Sequence, residues 1–184
     1  LLLLSNYEFT KSQSSLEKCN KLMDEAWSFF FNSDEKVLQK NKIISNDLFV
    51  EPIDINDNNI PNGNSIYLLV SNKLNNIIPD NKWSERIEIL SKSFHSHINA
   101  NFSQMFSHIK ILDICEDNIT VTINSNNPDT VEKIREQTIK KFMDKATIIY
   151  KEDSSEDFFI ICKKQTCSAK LKKLEEVENY FKNL

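Results

Sequence analysis

Glycine is almost missing from this chain, and that fact restricts its possible folds and chemistry more than any other. Gly63 is the only glycine among 184 residues. Loops that surround phosphate groups, and the turns of dinucleotide-binding folds, need several glycines because the backbone must approach the ligand closely and adopt positive φ. The sequence therefore excludes a nucleotide-binding P-loop, a Rossmann fingerprint, the GxxG loop of a KH domain and the calcium loop of an EF-hand.

The remaining composition is typical of a globular protein with a mild negative charge. Hydrophobic residues make up 40% of the chain, charged residues make up 27%, and the formal net charge is −4. Sequence-independent attraction to nucleic acid comes mainly from Lys and Arg, so this charge argues against it. A chain of this length forms one ordinary domain with flanking segments, or two small domains.

No stretch of the chain predicts insertion into a membrane. Leu1 to Leu4 lack the basic flank and the apolar length of a signal peptide, and no later run reaches the roughly 18 apolar residues of a membrane span. We therefore expect a cytoplasmic protein that has no membrane partner. Because the first residue is not Met, we also expect these residues to continue a longer protein.

Residues 1–46 predict a helical segment. Ser14 and Glu17 fit a capping box, and the apolar residues behind them recur every three or four positions up to about Ser33. Aromatic residues widen the apolar surface beyond one stripe, so we expect this helix to pack on more than one neighbour.

Residues 47–80 predict a linker or a long loop with one possible strand. The segment is rich in Asn, Asp and Pro, and residues 62–64 have the composition of a turn. Residues 65–70 form a short apolar run that fits a strand and equally fits a buried helical turn. We expect a domain boundary near Pro79.

Residues 81–184 predict an α+β interaction domain with a C-terminal helix. One amphipathic helix starts at Trp83, and a shorter one starts at Phe102, so the two are expected to pack as a hairpin. The apolar stripe of the shorter helix consists of Phe102, Met105, Phe106 and Ile109. The expected strands are residues 111–115 and 119–123, which flank a turn as one hairpin, and residues 147–150 and 158–162, which flank the acidic turn of residues 152–157 as a second hairpin. A helix near Val131 is expected between the two hairpins. The expected order is ααββαββ, with KH-like character.

The C-terminal helix is expected to run from about Ser168. Its apolar residues Leu174, Val177, Phe181 and Leu184 have a 3-4-3 spacing. Fewer than three heptads are present, so the pattern favours a helix that lies against the domain, and dimerisation through this helix is the alternative.

The sequence does not predict an active site or a cofactor. His95 and His97 are two residues apart on a predicted helix and so point to different sides. Acidic pairs such as Glu116-Asp117 and Glu156-Asp157 lie in predicted turns, where charge keeps a loop solvated. We expect a protein that is not an enzyme and binds neither metal nor cofactor.

The four cysteines do not have the CxxC spacing of metal or redox sites. They are Cys19, Cys115, Cys162 and Cys167. Cys162 and Cys167 are five residues apart and have no second pair, so we expect small buried or idle thiols in a reducing compartment, with a zinc site as the alternative.

Lysines concentrate in the C-terminal third, with Tyr150 and Phe158 between them. Basic residues with aromatic neighbours bind single-stranded nucleic acid through phosphate contacts and stacking, and Lys163 and Lys164 are the candidate contacts. Glutamates between the lysines favour solvated helix faces instead. Direct contact with DNA is therefore expected to be weak.

The stretch WSERIEILSKSFHSHINANFSQMFSHIKILDICEDNITVTINSNNPDTVEKI resembles the N-terminal domain of the bacterial replication initiator DnaA. In that family, a helix opens with Trp, a second helix ends in an aromatic pair, two strands follow, and a third helix comes after a turn that contains Pro. Trp83, Phe94, Phe102, Val121 and Pro128 lie at matching positions, whereas Asp129 and Thr130 replace the aromatic residue that the family has after the turn.

The same order of elements also resembles the C-terminal, polymerase-binding domain of the clamp-loader subunit gamma/tau. Either resemblance implies a non-catalytic docking module of a bacterial DNA replication protein. The implied partners are a helicase, a polymerase subunit or a second copy of the chain.

The candidate residues for partner binding are Trp83, Phe94 and Phe102. Trp83 begins its helix, and an aromatic side chain at the edge of a helix is well placed to be buried by a partner. Phe102 and Phe106 form a second candidate surface. The alternative is that these side chains belong to the core, and for Phe106 and Leu90 we expect the core.

Overall fold

The computed structural model describes residues 1–39, 55–57, 60–151, 156–164 and 166–184. The helices are α1 (Leu2–Thr10), α2 (Gln13–Phe30), α3 (Gly63–Ile77), α4 (Asn81–Asn101), α5 (Phe106–Glu116), α6 (Pro128–Phe142) and α7 (Leu174–Lys182). The strands are β1 (Phe31–Asn32), β2 (Val37–Leu38), β3 (Ile119–Asn124), β4 (Ala146–Tyr150), β5 (Phe158–Lys163) and β6 (Thr166–Cys167). The protein is thus an α+β protein, as the sequence predicted.

The predicted N-terminal helix is present, but it begins earlier than the proposed capping box. Ser12 is the N-cap of α2, and its Oγ accepts a hydrogen bond of 3.3 Å from the backbone N–H of Ser15. The helix ends at Phe30, where the chain enters β1. The capping role assigned to Ser14 and Glu17 is therefore wrong.

The possible strand at residues 65–70 is part of helix α3. Asn62 is its N-cap and accepts a 2.9 Å hydrogen bond from the N–H of Asn64, so the expected turn at residues 62–64 is the start of this helix. Leu68, Leu69 and Val70 are all buried, because α3 is covered on several sides. Consecutive buried residues hide the helical period, and this explains the wrong interpretation.

The predicted helix at Trp83 is α4, but the predicted strand at residues 111–115 belongs to α5. Ile111 and Ile114 are buried and Asp113 is exposed. A spacing of three residues puts the two isoleucines on one helical face, whereas a strand would have alternated. The proposed hairpin of residues 111–115 with residues 119–123 is therefore absent.

A four-stranded sheet forms the C-terminal half, in the order β4-β3-β5-β6. β3 pairs parallel with β4 and antiparallel with β5, with Val121 opposite Ile148 on one side and Ile161 on the other. The strands β4 and β5 follow each other in sequence but are separated by β3, so the predicted hairpin between them is wrong. The acidic turn expected there falls partly on residues 152–155, outside the described residues.

The observed order after α3 is α4-α5-β3-α6-β4-β5-β6-α7, which corrects the expected ααββαββ. A single strand, β3, lies between the second and third helices of this region. The DnaA-like pattern has two strands at that position, so the elements that carry the resemblance differ at this point.

One face of the sheet packs against helices and forms the main core. Its side chains include Val121, Ile148 and Ile161, which cluster with residues of α1, α2, α3, α6 and α7. A second cluster joins α3, α4 and α5 around Phe94. Both clusters contain residues from either side of position 80, so the packing crosses the proposed boundary near Pro79.

Helix α1 covers the outer edge of β4. The Glu8 carboxylate accepts from the N–H of Ile148 at 3.3 Å and from Lys73 Nζ at 3.0 Å, and the Tyr7 hydroxyl accepts from the N–H of Tyr150 at 3.4 Å. Lys73 Nζ also donates to the carbonyl of Ala146 at 2.6 Å. Backbone groups that point away from the sheet therefore have partners.

The C-terminal helix lies against the domain, as the plainer interpretation held. Val177 and Phe181 of α7 are buried, and the Phe181 ring meets the Phe142 ring of α6 edge-on at 5.2 Å. The helix begins at Leu174, later than expected, because residues before it bridge to β5 through Leu171. Across the described ranges, no helix has the length and apolar character needed to cross a membrane.

Candidate functional site

The three residues predicted to contact a partner lie in two different environments. Trp83 and Phe94 are 0% exposed, whereas Phe102 is 62% exposed. The prediction that Trp83 and Phe94 contact a partner is therefore wrong for the folded chain, because neither ring reaches the surface. Phe102 is accessible, and its contact with a partner remains a prediction.

Trp83 is buried in the main core, and two cations of its own helix, α4, also lie against its ring. The Arg86 guanidinium lies 5.0 Å from the Trp83 ring centre and 5.1 Å from that of Trp27, so it is held between two indoles. Lys82 Nζ lies over the Trp83 ring at 4.7 Å. These cation–π contacts use the faces of the indole that a partner would have needed.

Asp24 joins the two cations that cover Trp83. It accepts from Lys82 Nζ at 2.7 Å and from the Arg86 guanidinium at 2.8 Å. Burial raises the pKa of Asp24, but the hydrogen bonds from Lys82 and Arg86 lower it by more. The pKa therefore lies below its usual value of 3.8. The carboxylate stays ionised, so the cluster ties α2 to α4 and has a structural role.

Phe94 is buried against an unusual partner, the imidazole of His108. The two rings meet edge-on with their centres 4.3 Å apart, and His108 is 0% exposed. Within the described residues, neither ring nitrogen of His108 has a hydrogen-bond partner. Burial lowers the pKa of His108 to about 4, so the ring is neutral at pH 7.

Phe102, Phe106 and Ile109 together form an exposed apolar area, which we call the Phe102 surface. Phe106 is 63% exposed and Ile109 is 36% exposed. The rings of Phe102 and Phe106 meet edge-on at 6.4 Å, and Ile109 follows Phe106 by three residues on α5, which puts it on the same side. The expectation that Phe106 belongs to the core is wrong.

Met105 is the inward-facing residue of this turn, and it explains why the neighbouring rings point outward. It is 0% exposed and belongs to the cluster around Phe94. The sequence pattern placed Phe102, Met105, Phe106 and Ile109 on one stripe. A break between α4 and α5 at residues 102–104 changes the direction of the chain, so only Met105 turns toward the core.

Asp57 holds the base of the Phe102 surface, and the sequence contains only an indirect sign of this role. Its carboxylate accepts from the N–H of Ser107 at 2.6 Å, from the Ser107 hydroxyl, and from the N–H of Asn62 at 3.0 Å. Its own N–H donates to the carbonyl of Gln104 at 2.7 Å. The N-cap of α5, Met105, has no side-chain oxygen, and this missing cap is the signal that a distant acceptor was needed.

Burial and hydrogen bonds act on the pKa of Asp57 in opposite directions. Burial raises it, while the donors of Ser107 and Asn62 lower it, and the pKa lies below its usual value of 3.8. The carboxylate is therefore ionised at neutral pH, where it also compensates the positive N-terminal end of α5.

The candidate nucleic-acid contacts Lys163 and Lys164 lie at the end of β5 and in the turn after it. Lys163 is 3.8 Å from Asp117, whose carboxylate also lies 3.4 Å from Lys145. Lys164 is exposed and has a left-handed backbone conformation, with φ of 55°. Pairing with acidic groups reduces the positive potential that nucleic acid would need at Lys163.

A cavity of about 350 Å³ opens between the end of α2, β2 and the start of α3. Its lining is apolar or carries amides, and includes Phe30, Leu38, Asn56, Gly63 and Tyr67. Gly63 has ordinary negative φ, and an added Cβ would meet nothing within 4 Å, so the single glycine is not required by backbone geometry. The lining side chains named here would accept apolar groups but supply no acid or base.

Two of the four cysteines are joined by a disulfide, Cys162–Cys167, which links β5 to β6. The expectation of idle thiols, and the zinc alternative, are wrong for this pair. Cys19 is buried and Cys115 is half-buried, and burial raises the pKa of Cys115 to about 12. In the part of the chain that the structure describes, no three His, Cys, Asp or Glu side chains are grouped to hold a metal ion.

Comparison with known proteins adds no further assignment. The sequence matches no model of a known protein family, and no curated protein is significantly similar to it.

Proposed function

We propose that this chain is a non-catalytic protein–protein interaction module that binds its partner through the Phe102 surface. The observation that carries the proposal is the exposed pair of phenylalanine rings, Phe102 and Phe106, which are 62% and 63% exposed. Aromatic side chains supply much of the binding energy at protein interfaces when a partner buries them. Two such rings in contact with each other form a ready anchor.

The Phe102 surface is anchored by the core and by hydrogen bonds, and this favours binding. Met105 anchors the turn in the core, and Asp57 fixes the start of α5 through Ser107. A surface that is already ordered loses little conformational entropy when a partner binds. The exposed rings are therefore better suited to docking than rings on a free loop.

The neighbours of the two rings carry little charge, which favours a protein partner over nucleic acid. Asn101, Ser103 and Gln104 are all exposed and uncharged. The nearby cation Lys110 is 3.0 Å from Asp144 and so is partly neutralised. An apolar patch with an uncharged border fits an apolar stripe on another protein, such as one face of an amphipathic helix.

The partner class comes from the resemblance to replication proteins. A replicative helicase, a polymerase subunit and a second copy of this chain are the three partners to test.

The test is a titration of the full chain against each of these partners, with fluorescence anisotropy as the measure of binding. We expect Phe102→Ala with Phe106→Ala to weaken binding at least about 30-fold, because truncating central aromatic residues typically costs 2 kcal/mol or more. We also expect the affinity to change little between about 50 and 200 mM salt. Binding that depended on several phosphate contacts would become about a thousandfold weaker over this range.

Phe9→Ala is the matched control, since Phe9 is 53% exposed but lies on α1. It should leave binding unchanged. Two results would overturn the proposal: binding that survives the double substitution, or no binding of any of the three partners up to about 100 μM. Salt-sensitive binding to a single-stranded oligonucleotide that requires Lys164 would support a nucleic-acid module instead.

A further inference from the structure

The hairpin of β5 and β6 places its disulfide at the surface of the protein. Cys162 and Cys167 lie directly opposite each other in the antiparallel ladder. Cys167 is exposed on the short outer strand β6, whereas Cys162 is half-buried on β5. Cys167 is therefore the more accessible end of the disulfide for a dissolved thiol.

The hairpin tip can open without loss of the sheet. Past the disulfide, the chain is attached to β5 by hydrogen bonds between the backbones of Phe159 and Leu171, at 2.8 and 2.9 Å. A third bond joins the N–H of Ser168 to the carbonyl of Ile161 at 2.8 Å, and the Ser168 hydroxyl accepts from the N–H of Ile161 at 3.1 Å. Reduction of the disulfide would free only the few residues between Cys162 and Cys167.

The charge of this region favours thiol chemistry. Between Phe158 and Leu174 the sequence contains five lysines and no acidic residue. Two of these lysines are paired with carboxylates from outside this range, Lys163 with Asp117 and Lys172 with Glu156, and the others add positive charge. Positive charge stabilises a thiolate relative to a thiol, and the thiolate is both the attacking species and the leaving group in disulfide exchange. The buried thiol of Cys19 and the half-buried thiol of Cys115 lie outside this region, so the reactive sulfurs are those of the hairpin.

We propose that Cys162–Cys167 is a reversible thiol–disulfide exchange site for low-molecular-weight thiols such as glutathione. The incoming thiolate attacks Sγ of Cys167, a mixed disulfide forms, and Cys162 leaves as a thiolate that takes a proton. A second thiolate attacks the sulfur of the bound thiol, which releases Cys167 and forms the disulfide of the small thiol. Overall, two thiols are oxidised to one disulfide, and the protein gains two electrons and two protons.

The experiment measures exchange of the folded full chain in mixtures of reduced and oxidised glutathione, with acid quench, alkylation and mass spectrometry. A synthetic peptide of residues 160–169, closed by the same disulfide, is the reference. We expect the protein to exchange within about tenfold of the peptide rate, because the reaction needs no global opening. Exchange that required unfolding would be slower by about a thousandfold or more.

Two single substitutions test the order of attack. In Cys162→Ser the remaining thiol at position 167 is exposed, and it should react with a chromogenic disulfide reagent at least about tenfold faster than the thiol left in Cys167→Ser. Equal rates would contradict attack at Cys167. The proposal is overturned if exchange tracks global unfolding in denaturant, or if both cysteines remain as free thiols in excess oxidised glutathione.

Discussion

The two ends of helix α4 both present aromatic residues, but the structure treats them in opposite ways. At the first end, Trp83 is buried in the main core, in one cluster with Leu4 of α1 and Leu16 of α2. At the other end, Phe102 and Phe106 lie open to solvent, while Met105 between them takes the core position. The difference shows that an aromatic residue at a helix end is buried only where another segment of the chain packs against it. The spacing of apolar residues along one helix does not contain that information.

The largest expected effect on stability comes from truncating Trp83, the buried aromatic side chain at the start of α4. Trp83→Ala should lower the free energy of unfolding by about 4 kcal/mol, because a large, fully enclosed side chain leaves a cavity. The measurement is urea denaturation followed by circular dichroism. Trp83→Phe should cost much less, since the indole N–H has no partner among the described residues and its removal leaves no lost hydrogen bond.

Phe102→Ala is the comparison variant at the exposed end, and it should change the free energy of unfolding by less than about 0.5 kcal/mol. If Trp83→Ala and Phe102→Ala had similar effects on stability, the contrast between the two ends would be wrong.

A second prediction concerns pH and the core beside the exposed end. The pKa of His108 falls from 6.5 to about 4 on folding, chiefly through burial, with Asp57 opposing the shift and His97 adding to it. Between these values the unfolded chain binds a proton that the folded chain does not. Stability is therefore full above about pH 6.5 and should decline by roughly 3 kcal/mol as the pH falls to about 4.

His108→Leu should remove this pH dependence while keeping a similar side-chain volume. The measurement is the urea midpoint at several pH values between 4 and 7. An unchanged slope in the variant would show that another group titrates in this range. The carboxyl groups of Asp24 and Asp57 have pKa values below 3.8, so they titrate at lower pH.

A smaller effect on stability than that of Trp83 or His108 is expected at Asp57, which supports the exposed end without being part of its surface. Asp57→Asn should cost roughly 1 to 2 kcal/mol, because it removes the charge from the hydrogen bonds to Ser107 and Asn62. It should also weaken partner binding through Phe102, since the start of α5 would become less ordered. Stability and affinity measured on the same preparation would separate the two effects. Unchanged affinity would show that partner binding does not depend on the hydrogen bonds of Asp57.

Helices and strands whose apolar residues recur at a clear period could be predicted from the sequence. The strand of Ile119 and Val121 has strict alternation, and helix α4 has a stripe with a period of three and four. The short apolar run before Val70 could not be assigned, because a helix buried on several sides does not show its period. At Ile111 the helix was mistaken for a strand for a different reason, because a short run with few apolar residues fits either form.

Pairing between distant segments could not be predicted. β4 follows a helical crossover and pairs with β3, so β5 is its neighbour in sequence but not in the sheet. The disulfide depends on this register, because residues 162 and 167 become opposite only when β6 turns back on β5. The hydrogen bond of Asp57 with Ser107, which holds the start of α5, likewise joins residues about fifty positions apart.

The cover that α1 gives to the edge of β4 has a consequence for aggregation. Glu8 and Tyr7 accept hydrogen bonds from the N–H groups of Ile148 and Tyr150, groups that an uncovered strand would offer to any passing chain. The first ten residues thus act as a guard against cross-molecular strand addition. Removal of these residues would leave the N–H groups of Ile148 and Tyr150 open to pairing with a strand of another molecule.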